Sequence, residues 1–407
     1  MQKPPARFTP GVALATPYQT EHVREANRHG VYRALVDHGA ATRAELAQHT
    51  GLSAPTVATI LAEFQAQGLV GDAGADEGTG GRPAQRVRFL ADAGHVLAVD
   101  LSGRRAHACR IDLVGRVRTR VSGPDLGPGV TDALVAWLAA LVQAPDAPTV
   151  RRLALAVPGV IDPADGRVDL APALGWHRLD VATRLEAALG IPVRLENDVN
   201  ALALAELHYG AGTTHRHVVY VAIGTGVGAG IVIDGRLYRG AHAAAGEIGS
   251  VLTCAEDAER RQAPGEPGPL ESRAVEAAER CLGEDGLVAA APAAQDALDA
   301  LACLLTPALH DLTCLLDPEL LVISWPADTE GRLVERLRSA WRGPRPLPIA
   351  SGALGPDGAA RGAAHLALED IEAEACRYRA RGGPRPGTST ASLSTPPHGL
   401  EPRSRHV

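Results

Sequence analysis

The chain has 407 residues, room for two or three domains, and its 45% hydrophobic and 21% charged residues are ordinary soluble composition. Its first twenty residues hold no apolar core of signal-peptide length, and no uninterrupted apolar run reaches membrane-spanning length, so a cytoplasmic protein without membrane contact is expected. Six scattered cysteines fit reduced thiols. Charge is uneven: residues 1–90 hold 9 Lys+Arg against 8 Asp+Glu, residues 91–375 hold 25 against 38, and residues 376–407 hold 6 against 1. An acidic body repels nucleic acid, so DNA contact must come from the head or the tail.

Residues 1–20, rich in Pro and small polar side chains, are expected to be disordered. From residue 21 the pattern turns helical, with Val23, Ala26, Val31, Ala34 and Leu35 recurring near a 3.6 period. Thr42-Arg43-Ala44-Glu45 is a capping box opening a second helix, and Gly51-Leu52 makes a tight turn. Ser53 then caps a third helix whose apolar face is Val57, Ile60, Leu61 and Phe64. Its start leaves Ala54, Pro55, Thr56 and Thr59 facing outward. Two helices joined by a short glycine turn, the second presenting small polar groups, is helix-turn-helix geometry. Strands at 69–70 and 86–90 complete a wing carrying Gly80-Gly81-Arg82-Pro83, and an Arg on extended backbone there suits a narrow minor groove. Residues 21–90 therefore read as a DNA-binding head, with Arg43, Ser53, Pro55, Thr56, Thr59 and Arg82 as its contact candidates.

Residues 91–375 alternate strands and helices, giving an α/β fold with both sheet faces covered. Strands are expected over 96–100 (ending in Asp100), 106–113, 116–121 and 153–157, and helices over 131–143 and 180–189. A strand over 193–196 runs into a helix over 198–208, which puts Asn197 and Asp198 at the positive end of a helix dipole. An apolar strand over 218–223 leads to the turn Gly224-Thr225-Gly226-Val227-Gly228, then a strand over 230–233 and an Asp234-Gly235 hairpin turn. Glu247 follows in a segment of small residues where backbone approaches closely. Helices over 271–282, 296–316, 330–340 and 359–374 and a strand over 320–324 complete the body, and residues 376–407 are a low-complexity tail expected to be disordered.

ENDVNA, GTGVGAGIVIDGRLYRG and AAGEIG, in that order, resemble the ROK family of sugar kinases and sugar-responsive repressors. The resemblance covers most of residues 95–370 and implies an actin-like, ribonuclease H-like fold of hexokinase type, two-lobed, behind the winged head. It places Asn197, Asp198, Glu247 and Glu271 around a sugar, Asp198 at the position of the kinases' general base. It also sets Gly224–Gly228 at one phosphate loop and Arg82 at the Gly-Arg-Pro of the family's repressors.

Departures from the family pattern decide between its branches. Kinases follow the first-strand Asp with Gly-Gly-Thr; here the run is Asp100-Leu101-Ser102-Gly103-Arg104-Arg105. Where nucleotide-binding members have a Gly-Gly turn, this chain has Trp325-Pro326-Ala327. The family's zinc ligands are reduced to Cys254, with Ser250 in place of His, so neither metal nor other cofactor is expected. Ser250 and Ala173 replace two sugar contacts. The resulting expectation is a sugar-sensing transcriptional regulator, with Asp198 a vestigial base. Its partners are a double-stranded DNA operator, a small sugar or sugar-phosphate effector, and a second copy of itself. The rivals are a sugar kinase with a DNA-binding head and a DNA-binding protein whose body only dimerises.

Overall fold

The computed structural model describes residues 17–75, 85–145, 147–162, 165–259, 263, 265–343 and 345–378. The expected disorder of 1–16 and 379–407 and the wing tip with Arg82 lie outside these residues.

In the head, Thr42 and Glu45 exchange hydrogen bonds as a capping box (3.2 Å and 2.7 Å) and Gly51 closes the same helix in the left-handed region, which is why the turn is tight. The elements are α1 (Pro17–His38), β1 (Ala40–Thr42), α2 (Arg43–Thr50), α3 (Ala54–Ala66), β2 (Val70–Ala75) and β3 (Gln85–Phe89), with the sheet ordered β1-β3-β2. Helix α1 starts inside the segment expected to be disordered. Its buried face is Arg28, Val31, Tyr32 and Leu35, whereas Val23 and Ala26 are exposed, contrary to the periodicity reading. In this half of α1, Arg24 and Glu25 meet Tyr378, just beyond the last helix of the body. That core is closed by Tyr32, edge-on to Phe64 and Phe89 at 6.0 Å and 5.0 Å.

The body runs β4 (His95–Asp100), β5 (Arg105–Asp112), β6 (Val117–Asp125), α4 (Asp132–Val142), β7 (Val150–Val157), β8 (Val160–Asp162), β9 (Arg167–Ala171), β10 (Trp176–Asp180), α5 (Val181–Leu189), β11 (Val193–Asn197) and α6 (Asp198–Tyr209). It continues with β12 (Val218–Ile223), β13 (Val227–Ile233), β14 (Arg236–Tyr238), α7 (Pro269–Arg280), α8 (Pro292–Leu316), β15 (Leu320–Ser324), α9 (Arg332–Ala340), β16 (Ile349–Ser351) and α10 (Gly358–Cys376). Two five-stranded sheets, β11-β7-β4-β5-β6 and β14-β13-β12-β15-β16, form the two lobes, and a small sheet β10-β9-β8 flanks the first.

Helices α6 and α10 pack on each other between the lobes, α10 covering β4 and β7 and α6 covering β12 and β13. A Cβ at Gly362 would run into the Ala201 carbonyl, so this crossing requires glycine. Helix α8 is by length and mean hydropathy alone long enough to cross a membrane; it carries Asp296, Asp299 and Asp311 and buries Leu298, Leu301, Leu305 and Leu309 in the second-lobe core. One apolar cluster runs without a break from Val31 and Phe64 in the head to Ala363 and Cys376 on α10. Residues 376–378, assigned to the tail, join this junction: the Tyr378 backbone N–H donates to Glu25 at 3.0 Å, and Arg24 lies over the Tyr378 ring.

Candidate functional site

Asp198 opens α6 where β11 ends, between the two sheets, and its carboxylate accepts the Val199 N–H at 3.0 Å. Asn197 caps the helix by accepting from Asn200 N–H at 2.9 Å, and its amide donates to the Gly159 carbonyl at 2.9 Å. Burial, with the Asp100 carboxylate second and Glu247 adding to it, pushes the Asp198 pKa up to about 7. Burial and Glu271 likewise raise Glu247, and burial raises Asp100. The four residues assigned to the sugar cleft are thus brought together, and Asp100 joins them. Its position at the end of the first body strand was the available signal for it.

The glycine motif serves the packing of this site. A Cβ at Gly228 would crowd Val199, and one at Gly230 would strike Ala203, so these two glycines let β13 lie against the helix that carries Asp198. A Cβ at Gly226 would strike the Glu271 carboxylate, and one at Gly249 would crowd Glu271 from the other side. Glu271 is held in that slot, with the Gly268 N–H donating to it at 3.3 Å. Only Gly224 faces open space in this turn. Gly246 has φ 94 and sits on β13, with Ala229 N–H donating to its carbonyl at 2.8 Å, which fixes the neighbouring Glu247.

Two carboxylates that sequence reasoning missed hold this arrangement. Glu196, 2% exposed, accepts from Arg239 at 3.0 Å, from Asn197 N–H at 3.2 Å and from the Asn200 amide at 3.2 Å. Glu206, 1% exposed, accepts backbone N–H from Ala211 at 2.8 Å, Ala353 at 2.7 Å and Leu354 at 2.9 Å, tying α6 to the segment before α10. Of these partners Arg239, Ala353 and Leu354 are remote in sequence. A polar hollow of about 390 Å³ adjoins Arg239, lined also by Asp162, Arg167, Asp169 and His242.

At the kinase-specific positions, Leu101 is buried, Arg105 reaches the Gly123 carbonyl at 3.2 Å, and Trp325 is packed into the second-lobe core. The loop of Cys254 is held by Asp257, which accepts from Thr253 N–H at 2.7 Å, Cys254 N–H at 3.1 Å and Arg273 at 2.9 Å. Those bonds, the Arg273 pair first, hold the Asp257 carboxyl well below the usual range.

On the head, Arg43, Ser53, Pro55 and Thr59 are exposed, while Thr56 is half-buried, its hydroxyl 2.8 Å from that of Ser53. Ser53 caps α3 through Thr56 N–H at 3.3 Å, and the Thr59 hydroxyl donates to the Pro55 carbonyl at 3.1 Å. Thr56 is therefore turned further inward than the helical pattern suggests.

The ROK family model matches residues 96–369, and a model described as winged helix-turn-helix DNA-binding matches residues 24–70. The xylose repressor of Bacillus subtilis is 27% identical over 234 residues, 56% of this chain and 60% of that protein. The chain thus spans less than two thirds of the length of this curated relative. A ROK family transcriptional regulator described as a homologue of the E. coli MLC protein superposes with a TM-score of 0.70 at 22% identity, over 87% of this chain and 98% of that one. A ROK family glucokinase from Streptomyces griseus, solved with glucose and AMPPNP, gives 0.53 at 27% identity over 67% of this chain and 99% of its own.

Proposed function

The chain belongs to the ROK family, and from that membership we propose that it is a transcriptional repressor whose hold on a DNA operator is changed by a sugar bound at Asn197, Asp198, Glu247 and Glu271. The observation that carries the reading is the continuity of α6, α10 and α1. Helix α6 begins at Asp198 in the cleft and is locked onto α10 at Gly362 and, through Glu206, at 353–354. The other end of α10 is bonded to the head: Glu372 accepts from Arg33 at 2.8 Å and lies 3.0 Å from the His29 ring nitrogen, and Gln67 donates to the Ala375 carbonyl at 3.3 Å. A sugar that favours one arrangement of the lobes shifts the head by that preference and no more. Two heads on paired half-sites call for at least a dimer.

The kinase reading is supported by the placement and raised pKa of Asp198, which suit a general base. Against it stand Leu101–Arg105 and Trp325, bulk where a nucleotide needs bare backbone. Footprinting of the full chain on genomic DNA would supply an operator fragment, whose affinity is then measured across hexoses, pentoses and amino sugars. One sugar class is expected to change it at least about fivefold, the scale of an ordinary coupling energy, and Glu372→Gln to shrink that change while DNA binding remains. No response to any sugar would reduce the body to a dimerisation platform. Phosphoryl transfer from ATP to any of them would make the protein a kinase.

A further inference from the structure

We propose a second site, beside Asp100 but built of residues other than Asn197, Asp198, Glu247 and Glu271: a zinc-class divalent cation held by His107, Cys109 and Asp357. His107 and Cys109 alternate along β5 and so point to one face of the first-lobe sheet. Asp357 caps the start of α10, just after the second-lobe strand β16. The Cys109 Sγ lies 3.9 Å from His107 Nε2 and 3.5 Å from Asp357 Oδ1, and the two latter atoms are 3.3 Å apart. Bonds of about 2.3 Å to sulfur and about 2.0–2.1 Å to nitrogen and oxygen at tetrahedral angles would set those edges at about 3.6, 3.5 and 3.3 Å. The three ligand atoms therefore already outline one face of a tetrahedron, although Asp357 lies 250 residues beyond His107 in the chain. Among the described residues no fourth ligating side chain joins them, so water completes the set.

The surroundings suit the ion. Burial opposes ionisation of Asp357, but hydrogen bonds from Arg120, His107 and Cys109 outweigh it and hold its pKa below the usual range. Its second oxygen accepts from Arg120 at 2.7 Å, the outer contact that orients a ligating carboxylate. Sulfur ligates as the thiolate, so the cation would displace the Cys109 thiol proton. Soft sulfur with imidazole and one carboxylate favours zinc over magnesium or calcium. The ion would clasp β5 to the segment leaving the second lobe, beside Asp100, which pairs with His107 across β4 and β5. It is distinct from the Cys254 position where the family carries its zinc, and it departs from the expectation of a metal-free chain.

Cobalt titration of the chelator-stripped full chain tests it. One equivalent is expected to give the visible bands of tetrahedral cobalt with a thiolate-to-metal charge-transfer band, release of about one proton, and displacement by zinc. Cys109→Ser should abolish the charge-transfer band, His107→Gln should weaken binding at least tenfold, and Cys254→Ser should change neither. Should Cys109→Ser fail to fold by circular dichroism, the half-exposed His107→Gln decides. No stoichiometric band in the wild type, a band unchanged in the His107 and Cys109 variants, or a band lost with Cys254→Ser would overturn the site. None of these outcomes depends on DNA or sugar binding.

Discussion

Helix α6 and the strand before it carry both satisfied and unsatisfied carboxylates, within a dozen residues. Glu196 and Glu206 are almost wholly buried, yet one is neutralised by Arg239 and the other receives three backbone N–H groups. Asp198, between them in sequence, is less buried and receives only local backbone N–H groups, Val199 at 3.0 Å among them. With Asp100, Glu247 and Glu271 it forms a group that reaches no Arg or Lys among the described residues. Burial of an acid is therefore not what marks a site here. What sets this group apart is carboxylate charge gathered without a cation, whereas the paired acids hold the frame around it.

The contrast can be broken most forcefully at Glu206. Glu206→Ala leaves three backbone N–H groups without an acceptor and should cost about 3–5 kcal/mol of unfolding free energy, read by denaturant melts. Glu247→Ala, in the other class, should stay within about 1 kcal/mol. Equal losses would erase the distinction.

Asp198→Asn sharpens it through pH. The carboxyl has an ordinary pKa of 3.8 when unfolded and about 7 in the fold, so its protonated form is favoured by folding, and that stabilisation is lost as pH rises from about 4 through about 7. The amide escapes this loss: it should be more stable than wild type by on the order of 2–4 kcal/mol at pH 8, with the gain vanishing below pH 4. A difference that does not vary with pH would place Asp198 among the satisfied acids. Sugar binding should weaken in the same variant, measured by calorimetry.

The smallest effect belongs to the head, whose exposed hydroxyls are already satisfied by their own helix. Ser53→Ala removes the α3 cap and should cost about 1 kcal/mol in thermal melts. Thr56→Ala should alter the preferred DNA sequence. Identical footprints for Thr56→Ala and wild type would remove α3 from the DNA contact.

Local chemistry made much of this legible in the sequence. The capping box at Thr42, the cap at Ser53, β12 over its full length and the Asp234-Gly235 turn, with φ 56 and 74, follow from neighbouring side chains and appear where the pattern put them. The gathering of Asn197, Asp198, Glu247 and Glu271 was readable only through the family resemblance of three motifs. Tertiary structure decided the rest. Strands β1, β8, β9, β10 and β16 are three to five residues long and exist because a partner strand supplies their hydrogen bonds. The exposure of Val23, the Glu196–Arg239 pair, the Glu206 bonds to 353–354 and the meeting of His107 and Cys109 with Asp357 join residues tens to hundreds of positions apart. No helical or strand period reports such contacts, because each depends on where two separately formed elements come to rest.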